Sequence, residues 1–329
     1  MHRWMWRALA PLPLLAILAA GCSQDDVDKV VAASRDRAPA QAPAGSRGLG
    51  VFMGGGDAQE IHSFENFVGS KVTHVGAFVS KISWARFDEL SWLAEWRGSG
   101  FTLSLGVPML TNNDGGSLRA GASGAYDAHF RHLAEQLVAN GQGNAILRLG
   151  WEFNGDWYPW KAKDDRQAFA DYWRRVHGVI RSVPGAQGIR FDWNPAIGPA
   201  DVPAVAYPGD EFVDIVGMDV YDRNSTPDLA DPAKRWQEMV NQPFGLAWQR
   251  DFAAAHGKPI SFPEWAVSDR HQGGGQKDNP LFIRNMHEWI RSNNVEYHNY
   301  FEFDAVDEKG AQLTDGGNPQ SASLFQQLF

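Results

Sequence analysis

The strongest constraint on the fold is a repeat of form: from Gly48 onward, short β-rich runs alternate with amphipathic stretches. Such alternation is the pattern of a parallel sheet joined by crossover helices. Eight runs are present, at Gly48–Met53, Thr73–Val79, Phe101–Pro108, Ala145–Trp151, Gly188–Asn194, Val213–Met218, Pro259–Glu264 and Glu296–Phe303. Helices are predicted at Trp84–Arg97, Ala125–Asn140, Arg166–Val183, Pro232–His256 and Pro280–Ser292. Eight strands over about 280 residues is one per about 35, the spacing of a closed (β/α)8 TIM barrel of the α/β class. The competing fold is an open, doubly wound sheet. The position of the polar residues separates the two, because barrels keep their chemistry at the C-terminal ends of the strands. Glu152 and Asn154 follow the fourth run and Asn194 ends the fifth. Asp219 and Tyr221 follow the sixth, Glu264 ends the seventh, and Glu302 and Asp304 lie at the end of the eighth.

Composition removes several function classes. With 329 residues, 43% hydrophobic and 21% charged, the chain has ample material for a core. Thirty basic against 39 acidic residues give a formal charge of -9, and no Lys/Arg run is long enough to follow a phosphate backbone, so nucleic acid is not an expected partner. The Gly54-Gly55-Gly56 turn has neither dinucleotide-binding spacing nor a Walker lysine, and reads as a loop beside the site. His129 and His132 stand at i, i+3, but no third ligand follows at a usual distance, and a half-exposed helix face explains them. Asp219 and Asp222 flank Tyr221 and read equally as calcium ligands, substrate contacts or structural hydrogen-bond partners. Ser261 and Ser268 lie outside any nucleophile elbow. No metal or cofactor is expected. The chain has 14 tryptophans, more than a core requires, which points to a flat, amphipathic ligand that is stacked upon.

The N-terminal segment reads as an export signal. Arg3 and Arg7 precede an apolar stretch from Ala8 to Ala20 that is short for a membrane span. It ends in Leu18-Ala19-Ala20-Gly21-Cys22, similar to the lipobox of bacterial lipoproteins, and Cys22 is the single cysteine. The resemblance implies cleavage before Cys22 and its lipidation. From Ser23 to Arg47 the chain is rich in Ala, Pro, Asp and Ser and reads as a flexible tether. The expected organisation is a signal peptide at 1–21, a lipid-anchored linker at 22–47 and one catalytic domain at 48–329. The expected location is the bacterial cell envelope, outside the cytoplasm, with the protein a monomer held to a membrane through Cys22.

The fourth run continues as Trp151-Glu152-Phe153-Asn154-Gly155-Asp156-Trp157-Tyr158-Pro159-Trp160. An acid at the end of an apolar strand, followed at once by aromatic rings, is the composition of a sugar subsite, where rings stack on C–H faces and a carboxyl works the glycosidic oxygen. The seventh run supplies a partner in Phe262-Pro263-Glu264-Trp265. In a barrel these two strand ends face each other across the mouth, as a retaining glycosidase requires of its nucleophile and its acid/base. Arg148, four residues before Glu152, is expected deeper in the barrel, beside Glu264.

These motifs resemble glycoside hydrolase family 26. Glu152, Asn154, Gly155, Trp157, Tyr158 and Trp160 are similar to its acid/base motif, and Trp193-Asn194-Pro195 to a turn after its fifth strand. Tyr207-Pro208-Gly209-Asp210 and the segment Val213 to Tyr221 match most closely, and Lys258, Pro259 and Glu264 fit its nucleophile strand. The resemblance implies a retaining (β/α)8 glycosidase with Glu152 as acid/base, Glu264 as nucleophile and Tyr221 holding the nucleophile. It implies supporting or substrate-binding roles for Arg148, Asn154, Trp157, Tyr158, Trp160, Trp193, Asn194, Asp219, Trp265 and Phe303. Trp151 stands where the family usually has His, and Phe301-Glu302-Phe303 where it usually presents Trp. The expected substrate is therefore a β-glycan, β-mannan-like or another β-glycan or exopolysaccharide, cleaved at internal bonds. An inactive carbohydrate-binding or polysaccharide-export lipoprotein and a transglycosylase are the alternatives. Endo action depends on the loops after Gly54, Asn112 and Gly273.

Overall fold

A computed structural model describes residues 48–55, 57–198, 203–223, 227–268, 278–305 and 310–329. The signal segment, Cys22, the tether, Gly56, the Asn224 region and the Gly273 loop lie outside the described residues. The strands are β1 (Gly48–Phe52), β2 (His74–Phe78), β3 (Thr102–Val107), β4 (Ile146–Leu149), β5 (Arg190–Trp193), β6 (Ile215–Gly217), β7 (Val220–Tyr221), β8 (Ile260–Ala266) and β9 (Val295–Phe301). All their pairings are parallel, and the order β6-β5-β4-β3-β2-β1-β9-β8 closes on itself where Val216 and Gly217 pair with Ile260 and Ser261. The result is an eight-stranded barrel, in which β8 and β9 are the seventh and eighth staves and β7 is a two-residue extension pairing with the end of β8. The open sheet is thereby excluded.

The helices are α1 (Ala58–Val68), α2 (Trp84–Phe87), α3 (Leu118–Ala122), α4 (Asp127–Ala139), α5 (Arg166–Arg181), α6 (Pro232–Asn241), α7 (Leu246–Ala255), α8 (Pro280–Ser292) and α9 (Pro319–Leu328). Two predicted helices are broken. Pro232–His256 divides into α6 and α7 because Pro243 lacks an N–H and restricts the residue before it, after which Phe244 turns at φ 57. Trp84–Arg97 stops at Asp88, whose carboxylate lies 2.9 Å from His129 Nδ1, and resumes as a 3-10 turn at Ser91–Trp96. α5 shows why such segments cover a barrel: Phe169, Tyr172, Trp173, Val176 and Ile180 form one buried stripe at helical spacing.

The barrel interior is polar below the mouth. Asp192 on β5 accepts from Ser261 Oγ at 2.6 Å and from the Tyr297 hydroxyl at 2.7 Å, while Ser104 donates to Tyr297 at 2.9 Å. All four are buried. Burial pushes Asp192 up to about 6, against the pull of these donors. This network ties four strands together and forms the floor on which the site stands.

Candidate active site

Two backbone reversals deliver Glu152 to the mouth. β4 ends at Leu149, and both Gly150 and Glu152 adopt φ 53. Glycine suits the first reversal twice over, since a Cβ there would also meet Met109 Sδ at 2.8 Å. For Glu152 the left-handed conformation costs about 1–2 kcal/mol, a strain characteristic of functional positions. Its N–H donates to the Asn194 carbonyl at 2.7 Å and its carbonyl accepts from Gly155 at 3.0 Å, so the turn is held on both sides. The Trp157 indole N–H donates to Glu152 Oε2 at 2.7 Å. Burial, and then the charge of Glu264, raise the Glu152 carboxyl to about 7.

Glu264 reaches the mouth by a different device. Between Phe262 and Trp265 the register of β8 against β9 slips, a β-bulge at Pro263-Glu264. A proline fits a bulge because no ladder N–H is required there. Glu264 is buried, and both of its oxygens face donors: Tyr221 gives its hydroxyl to Oε2 at 2.6 Å and Arg148 gives Nη2–H to Oε1. Arg148, itself fully buried, also donates from Nη2 to Asp219 Oδ2 at 2.8 Å and from Nε to Asn194 Oδ1 at 2.6 Å. One guanidinium thus serves two carboxylates. Burial and the nearby charge of Glu264 push Asp219 well above the usual carboxylate range, although Arg148 faces it.

The two glutamates therefore sit in opposite environments, one surrounded by donors and one raised toward neutrality, the division that nucleophile and acid require. An acid role for Glu152 needs its proton, so kcat/KM is expected to fall as pH rises through about 7. The Trp157 hydrogen bond favours the ionised form of Glu152. Trp157→Phe, which keeps a ring and removes the donor, is expected to move this basic limb to higher pH. A limb that stays in place would mean that the indole does not hold Glu152 in solution.

The aromatic residues divide. Trp157 (52% exposed) and Phe303 (38%) offer open faces at the mouth, Phe303 lying against Gly54. Tyr158 is half-buried, accepts from Trp151 Nε1 at 3.2 Å and stacks on Trp160 with centroids 4.4 Å apart. Trp160, Trp193 and Trp265 are fully buried and do not line the cleft, which corrects the expectation that Trp160 stacks on a sugar and leaves all three in supporting roles. Trp160 donates to the Trp151 carbonyl at 2.9 Å, Trp193 packs between Phe153 and Phe252, and Trp265 donates to His298 Nδ1 at 3.2 Å behind the barrel wall. They stiffen the walls from within.

Several polar residues are structural. Asn154 exchanges two 2.9 Å hydrogen bonds with the backbone of Ala196, pinning the loops after β4 and β5 together. Asp222 points away from the mouth, to Arg235 Nε at 2.5 Å and Asn279 at 2.6 Å. Glu302 accepts from the backbone of Leu313 and Thr314, and Asp304 from Gly310, so both fix the segment after β9. His129 stacks on Trp84 at 4.5 Å. Among the described residues no group of three His, Cys, Asp or Glu is placed to hold a metal ion. The sequence reading passed over Asp192 and Tyr297, though period two along β5 puts Asp192 on the same face as Asn194. It also passed over Arg223, whose charge acts on Glu152 from the side of Tyr221, and Lys81, whose ammonium stands over the Tyr158 ring.

Fold and site together define a (β/α)8 barrel with opposed glutamates at the ends of its fourth and seventh staves. Residues 124–261 match the model of glycosyl hydrolase family 26. It is 28% identical over 155 residues to Endoglucanase H of Acetivibrio thermocellus and 27% identical over 145 residues to a mannan endo-1,4-beta-mannosidase of Bifidobacterium adolescentis. These alignments cover 45% and 42% of this chain but only 16% and 14% of those much longer relatives. Among solved structures, GH26C from Muricauda sp. superposes with a TM-score of 0.62 at 17% identity, covering 92% of this chain and 87% of that one. The Bacillus subtilis mannanase man26 gives 0.58 at 15% identity, covering 91% and 90%. At these identities the structures speak for the fold.

Proposed function

We propose that the protein is a retaining, endo-acting glycoside hydrolase that cleaves internal β-glycosidic bonds of a β-glycan. Glu264 attacks the anomeric carbon while Glu152 gives its proton to the leaving glycosidic oxygen, so a C–O ester bond forms as the glycosidic bond breaks. Glu152, now ionised, takes a proton from water, whose oxygen displaces Glu264 and regenerates both groups with net retention. The single observation behind this reading is the split environment of the pair: Tyr221 and Arg148 both donate to Glu264, while burial and the Glu264 charge raise Glu152 to about 7. Its relatives' names, an endoglucanase and a mannan endo-1,4-beta-mannosidase, fit a β-glycan substrate. Transglycosylation would use the same intermediate with a sugar in place of water.

The test is release of new reducing ends from mannan, glucomannan, mixed-linkage glucan, xylans and bacterial exopolysaccharides by the wild type and by a Glu152→Gln/Glu264→Gln double variant. Cleavage by the wild type alone is expected. Binding to a polymer that neither protein cuts would favour a non-catalytic carbohydrate-binding role.

We further propose that the enzyme is a monomer anchored in the bacterial cell envelope through lipid on Cys22, a reading supported by Leu18-Ala19-Ala20-Gly21-Cys22 and the Ala/Pro-rich tether that follows. Cys22→Ser is expected to leave the protein out of the membrane fraction, and retention there would remove the anchor from the proposal.

A further inference from the structure

The loop after β2 carries Ser80-Lys81-Ile82, and its backbone is fixed rather than free-standing. Asn112 N–H donates to the Lys81 carbonyl at 2.8 Å and Asn113 N–H to the Ile82 carbonyl at 3.0 Å, stitching this loop to the one after β3. From that anchored position the Lys81 side chain crosses to the loop after β4. Its ammonium stands 4.5 Å from the centre of the Tyr158 ring and 5.9 Å from that of Trp151. Trp151 is the chain neighbour of Glu152, and Tyr158 adjoins Trp157, whose indole holds the Glu152 carboxyl. Lys81 therefore lies beside the acid, on the aromatic side of the mouth.

Lys81 is half-buried as a residue, and among the described residues no carboxylate pairs with it. The other lysines of this region are matched: Lys163 pairs with Asp156, and Lys161 with Asp164 at 3.5 Å. Two aromatic faces attract an ammonium but give its N–H groups no oxygen acceptor. Those donors are available to an anion that arrives with the ligand. A second cation of this region, Arg223, lies over the Tyr221 ring at 4.7 Å and acts on Glu152. Both cations stand on loops around the mouth of a chain whose formal charge is -9. A neutral glycan offers hydroxyls and C–H faces, for which the rings suffice. A carboxylate-bearing sugar uses both, its face against the exposed Trp157 ring and its anion on the ammonium.

We propose that the β-glycan recognised at this site carries carboxylates, and that Lys81 selects for one of them on a sugar bound beside Trp157 and Tyr158. The proposal rests on the glycan-cleaving reading for the identity of the site, but its test does not depend on turnover. Equilibrium binding to the full chain is measured by calorimetry for β-glucan and β-mannan hexasaccharides, each beside its C6-oxidised form and a pyruvate-ketal form. The wild type is expected to bind an acidic member about five- to tenfold more tightly than its neutral partner, the contribution of one charge-assisted contact at a partly shielded site. Lys81→Arg is expected to keep that ratio, and Lys81→Gln to bring it to about one. The oxidised and ketal forms distinguish a carboxylate on the ring from one on a substituent, and preference for either supports the proposal. Equal or weaker binding of both acidic forms by the wild type would overturn it, as would a preference that survives in Lys81→Gln. A Lys81-dependent preference without cleavage would leave this proposal standing and remove the hydrolytic one. Cleavage of neutral polymers with no charge preference would do the reverse.

Discussion

Glu264→Ala is expected to lower turnover roughly 10⁴-fold or more on every substrate, because it removes the carboxylate that forms the covalent ester. Arg148 keeps Asp219 and Asn194 as partners in this variant, so the loss should come without unfolding. Azide, small enough to occupy the vacated space, should restore part of the activity by direct attack, giving a glycosyl azide of inverted configuration. The variant should also reveal how the two acids are coupled. Glu264 is the second contributor, after burial, to the raised value of Glu152, so Glu264→Gln should lower the Glu152 pKa from about 7 while burial keeps it above that of an ordinary glutamate. Titration of Glu152 by carbon NMR checks this. An unchanged pKa would mean that the two carboxylates do not sense one another.

Arg148→Met should be the most destabilising single change at the site. It leaves Glu264 and Asp219 buried without their shared cation, at a cost of about 3–5 kcal/mol. For a domain of this size that is roughly 10 °C in Tm. The loss should shrink in acid, where protonation removes the uncompensated charges. Adding Asp219→Asn should recover part of the stability, since one fewer carboxylate then needs a partner, and the two changes should be non-additive. Melting curves of the two single variants and the double variant test the arrangement. Strict additivity would mean that Arg148 does not bridge the pair.

Much of this site was legible in the sequence, and what was not has particular causes. The eight staves were readable because each is a short β-rich run bounded by turn residues, and the strand-end acids because a carboxylate directly after an apolar strand contrasts with what precedes it. Strand periodicity carried less far. Arg148 was placed by counting four residues back from Glu152 along one strand, but β4 ends at Leu149 and the chain reverses twice before Glu152. Arg148 nevertheless engages Glu264 across the barrel, as expected, and Glu264 itself is turned by a bulge whose only sequence sign is Pro263. The tryptophans show a further limit. Their number indicates extra aromatic area, but nothing local distinguishes Trp157, exposed on its loop, from Trp160 three residues later, sealed beneath Trp151. Pairings such as Asp192 with Tyr297 or Arg148 with Asp219 join residues far apart in the chain and exist only once the barrel closes.

In the proposed double displacement, Glu264 and Glu152 divide the labour. The most direct test is proton NMR of the anomer first released while the wild type cleaves a polymer from the reducing-end screen, followed faster than mutarotation. Release of the β-anomer from a β-linked substrate is the predicted result. Initial release of the α-anomer would contradict it, because a single displacement by water has no use for a nucleophile at Glu264.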